Sequence, residues 1–234
     1  LIKTGFFLGI ETSSEITGLA IVKEAELHYE LRGLTGSKHN ETIFQLLNDA
    51  LKFVGIEVKD LSGIGVSVGP GMFTSLRVGL ALAKGFALPH QIPVKGINTL
   101  DALAHSVSNF AKANDLVVPI IDARKEEVFA AFYRKNERIS EYLILKPETL
   151  ANQITNPVFL VGNGLKKYKS LLESIIPKGF NSVLLEAPLP STIAFQAQKS
   201  IMTGDISDLA SLQPFYLRPT DAELKRQEKV KNVS

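Results

Sequence analysis

The spacing of apolar residues divides the chain into short strands and helices. Residues 6–10 are an uncharged run that predicts a buried strand ending at Glu11. Residues 17–22 predict a second strand. Residues 25–32 alternate, with Leu27, Tyr29 and Leu31 on one side and His28, Glu30 and Arg32 on the other. The short turns between these strands imply an antiparallel meander. A helix is expected over residues 40–54, because Ile43, Leu46, Leu47, Ala50, Leu51 and Val54 recur at helical spacing. Asn40 suits its cap, Glu41 its first turn and Gly55 its end.

Residues 63–88 organise the first half. They predict a buried strand, a sharp turn at Gly69, Pro70 and Gly71, and a helix that stops before Pro89. Ser75, Gly79, Ala83 and Ala87 lie four apart on that helix and form one row of small side chains. Two glycines inside a helix cost roughly 1 kcal/mol each relative to alanine. The row therefore either packs closely on the chain's own sheet or receives another subunit. The Gly-Pro-Gly turn lacks the Gly-Lys-Ser/Thr of a phosphate-binding loop.

The pattern then repeats. After a strand at 93–96 and a helix at 100–113, residues 116–121 form a second buried run ending at Asp122. Strands follow at 127–133 and 137–145. Next come a helix opening at Pro147, a strand at 158–161, a helix at 165–176, a strand at 183–185 and a helix after Pro190. A short helix is expected at 206–212 and extended chain at 213–218. Glu11 precedes its turn residue Lys23 by 12 positions, and Asp122 precedes Lys135 by 13. Duplication of a β-β-β-α-β-α unit predicts two α/β lobes with mixed sheets around a cleft. That is the layout of the actin, sugar-kinase and Hsp70-like (ribonuclease-H-like) folds. The expected division is a first lobe at 1–104, a second at 105–218 and a charged, flexible tail at 219–234 carrying Lys225, Arg226, Lys229 and Lys231.

Composition narrows the function. The chain has 234 residues, 45% hydrophobic and 21% charged, as in ordinary globular proteins. A net charge of +2 argues against a dedicated nucleic-acid binder. There is no cysteine, hence no disulfide, thiolate metal site or cysteine nucleophile. No apolar run is long enough to span a membrane, the opening residues lack a signal-peptide layout, and a cytoplasmic location is expected. No Gly-x-Ser-x-Gly elbow occurs, and the four histidines stand apart from one another.

Several segments resemble the TsaB (YeaZ) family. They are Ile10-Glu11-Thr12-Ser13-Ser14, Gly69-Pro70-Gly71-Met72-Phe73-Thr74-Ser75-Leu76-Arg77-Val78-Gly79, Ala83-Lys84-Gly85, Asp122-Ala123-Arg124, Val161-Gly162-Asn163-Gly164 and Pro214-Phe215-Tyr216-Leu217-Arg218. They span nearly the whole chain in order. The resemblance implies a bacterial, non-catalytic subunit that supports the catalytic subunit TsaD in forming N6-threonylcarbamoyladenosine at tRNA position 37. A TsaE-type ATPase and tRNA are reached through that complex, and a homodimer is expected when TsaD is absent. In TsaD the resemblance implies a metal site at Asn-His-x-x-x-His. Here the run is Asn98-Thr99-Leu100-Asp101-Ala102-Leu103, so Thr99 and Leu103 stand where ligands are needed.

The resemblance also implies that the 40–54 and 74–87 helices pair with those of TsaD. The expected interface is Ile43, Leu46, Leu47, Ala50, Ser75, Gly79, Ala83 and Phe86, and Gly79→Leu is expected to fold yet lose the partner. Glu11 and Asp122, at equivalent strand ends, are expected to face the cleft. Their loops lack the glycines that let a backbone approach phosphate. No cofactor is expected, with weak nucleotide binding at the cleft or a subunit interface left open. The alternatives are a small phosphotransferase or ATPase of the same fold and, against the missing histidines, a metallopeptidase.

Overall fold

A computed structural model describes residues 5–35, 39–112, 115–154, 157–176 and 178–218. Two mixed sheets carry the molecule. The first contains β1 (Phe6–Glu11), β2 (Ile16–Lys23), β3 (Glu26–Leu34), β4 (Leu61–Gly69) and β5 (Val94–Asn98), in the order β3-β2-β1-β4-β5. The second contains β6 (Leu116–Asp122), β7 (Val128–Ala130), β10 (Leu143–Leu145), β11 (Val158–Val161) and β12 (Phe180–Ser182), in the order β10-β7-β6-β11-β12. The hairpin of β8 (Tyr133–Arg134) and β9 (Glu137–Arg138) hangs from β6. The two orders are the same once the halves are aligned, so the duplication is a fact of the topology.

Helices α1 (His39–Val54) and α2 (Phe73–His90) cover one face of the first sheet. Leu8, Ile10, Leu19 and Ile21 of the strands meet Ile43, Leu47, Leu80 and Ala83 there. Helices α4 (Pro147–Asn152) and α5 (Gly164–Ile175) do the same for the second sheet, around Val118, Ile120, Leu150, Leu160 and Leu172. The third helix of each half behaves differently. α3 (Thr99–Ser106) follows β5 but packs also on β6, and α6 (Pro190–Met202) packs on β1, β2 and β4 of the first sheet. Gly9 and Gly65 make this possible. A Cβ at Gly9 would lie 2.2 Å from the Pro190 carbonyl, and one at Gly65 2.7 Å from that of Ile193. The expected boundary at 104/105 is thus crossed by packing, because α6 belongs to the second half in sequence and to the first sheet in contact. The tail at 219–234 and the side chains of Asn40 and Glu41 lie outside the described residues.

Other departures have local causes. α2 runs two residues further than expected, with Pro89 in its last turn and Gln91 closing it in the left-handed region at φ 53°. The expected strand at 183–185 lies three residues earlier, as β12, while Leu185 turns into the core. The expected helix at 206–212 does not form, because the Asp208 carboxylate accepts from the backbone N–H of Ala210 and Ser211 and closes a turn.

Candidate docking face and inter-lobe cleft

The Gly69-Pro70-Gly71 turn joins β4 to α2 and packs on the loop after β1. The Met72 N–H donates to the Ser13 carbonyl at 2.7 Å, and a Cβ at Gly71 would lie 2.3 Å from that same oxygen. The Gly69–Pro70 peptide is cis, and Gly69 sits at φ +113°. The turn's glycines are therefore spent on close packing within the chain.

α2 has two unlike faces. The inward face carries Ser75, Gly79, Ala83 and Ala87, all buried. Gly79 rests on Thr12, where an added Cβ would lie 2.3 Å from the Thr12 hydroxyl oxygen. The outward face carries Val78, Ala81 and Gly85, and a Cβ at Gly85 would meet nothing within 4 Å. With Phe44, Phe73 and Phe86 these residues line an apolar groove of about 650 Å³ between α1 and α2. Phe44 is 54% exposed, and its ring meets the edge of Phe86 at 6.3 Å. Further along the same helices, Phe53 and Leu88 are 75% and 69% exposed.

This geometry corrects the expected interface. Ile43, Leu47, Ala50, Ser75, Gly79 and Ala83 are core residues, and Leu46 is half-buried against the same core. Of the eight, Phe86 alone lines the groove. The small row packs on its own sheet, so Gly79→Leu is expected to damage the fold rather than a docking face. Sequence reasoning missed Phe44, Phe73, Val78, Ala81 and Gly85. The signal was a second row, 74-78-81-85-88, equally poor in charge.

Between the sheets lies a cleft of about 1260 Å³, lined among others by Ser13, Arg77, Asp122, Arg124, Lys167 and Arg218. Asp122 is at its lip, where it accepts from the Arg124 N–H at 3.0 Å and pairs with Lys167 at 3.6 Å. Its own N–H donates to Asn163 Oδ1 at 2.9 Å. Glu11 does not join it. Glu11 is 0% exposed and absent from the lining, and its Oε1 accepts from the Ser13 N–H at 2.6 Å and the Ser13 hydroxyl at 2.5 Å. Glu11 Oε2 has no hydrogen-bond partner among the described residues. Burial pushes its carboxyl from an ordinary 4.5 up to about 7, against the lowering effect of Ser13. The expectation that Glu11 faces the cleft is corrected: the carboxyl is enclosed by its own loop and by β4.

The nucleotide–metal grip implied by the fold group does not fit these residues. The acid on β1 is enclosed, the space at Gly71 is filled by Ser13, and the β6–β7 loop offers no glycine for a phosphate to approach. On α3, Thr99 and Leu103 are buried, while Asp101 accepts from the hydroxyls of Tyr133 at 2.6 Å and Tyr142 at 2.7 Å. Burial and the Asp101 carboxylate raise both tyrosines, so they stay protonated donors. No cluster of three or more His, Asp or Glu with metal-binding geometry occurs among the described residues.

Comparisons with known proteins agree with this architecture. The model for the family TsaD, tRNA N6-adenosine threonylcarbamoyltransferase, matches residues 20–212. Relatives bearing that enzyme's name align over only part of their length. One from Caldicellulosiruptor bescii is 32% identical over 49% of this chain and 38% of the relative. Two relatives named tRNA threonylcarbamoyladenosine biosynthesis protein TsaB align almost end to end. That of Bacillus subtilis is 28% identical over 93% of this chain and 96% of its own, and that of Escherichia coli 28% over 90% and 94%. The chain belongs to the TsaB group of this family. Its fold is that of YeaZ from Pseudomonas aeruginosa, with a TM-score of 0.74 at 22% identity over 91% of this chain and all of that one. The same architecture extends to component A of (R)-2-hydroxyglutaryl-CoA dehydratase from Acidaminococcus fermentans, with a TM-score of 0.53 at 10% identity.

Proposed function

We propose that this chain is a non-catalytic subunit of tRNA threonylcarbamoyladenosine synthesis, and that it binds and sustains a TsaD-type catalytic subunit through the α1–α2 groove. The observation that carries the reading is the outward face of α2. An apolar groove floored by Ala81 and Gly85 and walled by Phe44, Phe73 and Phe86 suits a close-packed helix of another protein. Small residues let the partner's backbone approach, and the aromatic walls supply the apolar area that drives association. The names of the relatives place them in this pathway. The enclosed Glu11, the filled turn and the buried Thr99 and Leu103 support a role without a catalytic centre of its own. A TsaE-type ATPase and the tRNA are reached through the partner. In the partner's absence the same groove pairs two copies of this chain.

The test is reconstitution with cognate TsaD, TsaE, ATP, threonylcarbamoyl-adenylate and unmodified tRNA, with and without this chain. Modification over repeated turnovers is expected only with the chain present, and none is expected from the chain alone. Equal turnover without it would overturn the proposal.

A further inference from the structure

The segment Pro214-Phe215-Tyr216-Leu217-Arg218 lies outside every helix and sheet, yet it touches both halves. The Phe215 N–H donates to the Val68 carbonyl at the end of β4 at 2.7 Å. Gly69 lets it pass there, because a Cβ at that glycine would lie 2.8 Å from the Phe215 carbonyl. On the other side, the Phe215 ring meets Tyr142 at 5.4 Å, and Tyr142 is tied to Asp101 of α3. Leu217 packs with the cluster of Ile121, Phe129 and Leu185. Arg218 donates to the Ala123 carbonyl at 3.0 Å and pairs with Glu127, both on the second half.

Between these anchors Tyr216 faces α2. Its ring stacks on Phe73 at 5.1 Å, and its hydroxyl accepts from Arg77 Nε at 3.2 Å. The Arg77 guanidinium lies over the Phe73 ring, 3.8 Å from its centroid. Phe73, Thr74 and Arg77 line both the inter-lobe cleft and the apolar groove. Tyr216 lines only the cleft. The strap thus holds one end wall of the groove from behind.

We propose that this strap is a positioning element for partner docking: Tyr216 fixes Arg77 and Phe73 in the shape the partner meets, and Phe215 and Arg218 tie that shape to the arrangement of the two lobes. The inference rests on the docking reading above and adds residues that do not touch the partner. It also gives the Pro-Phe-Tyr-Leu-Arg motif a task. An extended segment without a sheet partner is held here by one backbone hydrogen bond, two ring contacts, the Tyr216–Arg77 hydrogen bond, the packing of Leu217 and the contacts of Arg218, and these come from both lobes.

The experiment measures the Kd for cognate TsaD with full-length variants, with thermal unfolding as a control for folding. Tyr216→Phe keeps the ring stack and loses only the hydroxyl that accepts from Arg77. We expect about a threefold to tenfold weaker Kd at an unchanged Tm. In an Arg77→Ala background the same change is expected to cost nothing more, since the bond it breaks is already gone. Arg218→Ala, remote from the groove, is expected to weaken TsaD binding several-fold as well. A Tyr216→Phe variant that binds as tightly as the parent, or that loses equally in both backgrounds, overturns the strap inference. If Ala81→Arg abolishes binding while the strap variants do not change it, the docking reading stands and the strap inference alone falls. If the unaltered chain does not bind TsaD, both fall.

Discussion

α2 and α5 occupy equivalent places, each following the central parallel strand of its half, yet they meet water differently. The outward residues of α5 are Lys166, Lys167, Lys169, Ser170, Glu173 and Ser174, with Lys169 and Glu173 paired one turn apart. The outward residues of α2 are Phe73, Thr74, Arg77, Ala81, Gly85, Leu88, Pro89 and His90. Both helices bury an apolar face on their own sheet. Only α2 repeats that chemistry on its free side, and it does so beside a 16-residue α1, where the second half has a six-residue α4. One copy of the unit carries a charged outer helix face and the other a mostly apolar one. An exposed helix face that is mostly apolar is unusual for a surface helix, and this difference is what supports the proposal that a partner covers the first half.

The two glycines of α2 provide the sharpest way to break that comparison. Gly79 faces Thr12 and Gly85 faces open space. Gly79→Leu is expected to lower unfolding stability by about 3 kcal/mol or more, since the helix would have to leave the sheet. Urea unfolding of the variant measures it. A fully stable Gly79→Leu protein would mean that the inward face is not the packed one.

The acids at the ends of β1 and β6 show the same division between the halves. Glu11 is enclosed and favours its protonated form, with a pKa raised from 4.5 to about 7. A raised acid adds stability that is complete below the unfolded value and is lost as pH rises through the folded one. Stability is therefore expected to fall between about pH 4.5 and 7, by up to roughly 3 kcal/mol from this group. Glu11→Gln is expected to flatten that slope. The test is denaturant unfolding at several pH values, and an unchanged slope in the variant would show that Glu11 titrates normally.

Gly85→Leu is the outward counterpart. Removing a helical glycine is expected to stabilise the isolated chain by up to about 1 kcal/mol. Filling the groove floor is expected to weaken TsaD binding at least about tenfold, or about 1.4 kcal/mol. Titration calorimetry of the variant with TsaD reads the second effect, and its thermal unfolding reads the first. Undiminished affinity would move the partner off this face.

Why the sequence showed the duplication but not the docking face follows from these residues. Strand runs ending in Glu11 and Asp122 and the repeated order of elements depend on local pattern, which a sequence displays directly. The two rows of α2 do not. Both 75-79-83-87 and 78-81-85 are small and uncharged, so nothing within the helix distinguishes them. The choice was made by Thr12, a residue 67 positions away whose side chain needs a neighbour without a Cβ. Glu11 was misplaced for a related reason. Its strand was read correctly, but enclosure depends on Ser13 and β4 folding over it. The strap was legible as extended chain, while its role required knowing that α2 and the β6–β7 loop lie on either side of it.

Asp122 gives the smallest effect and the finest test. It stands at the strand end equivalent to that of Glu11, but at the cleft lip, with Lys167 3.6 Å away. Asp122→Asn keeps an acceptor for the Arg124 N–H and removes only the charge facing Lys167. Because Lys167 is about half exposed, the loss is expected to be below about 1 kcal/mol and smaller still at high salt. Unfolding at low and high ionic strength measures it. A loss as large as that expected from the Glu11 titration would mean that the cleft lip is as enclosed as the β1 end. The two halves would then differ at their helices alone.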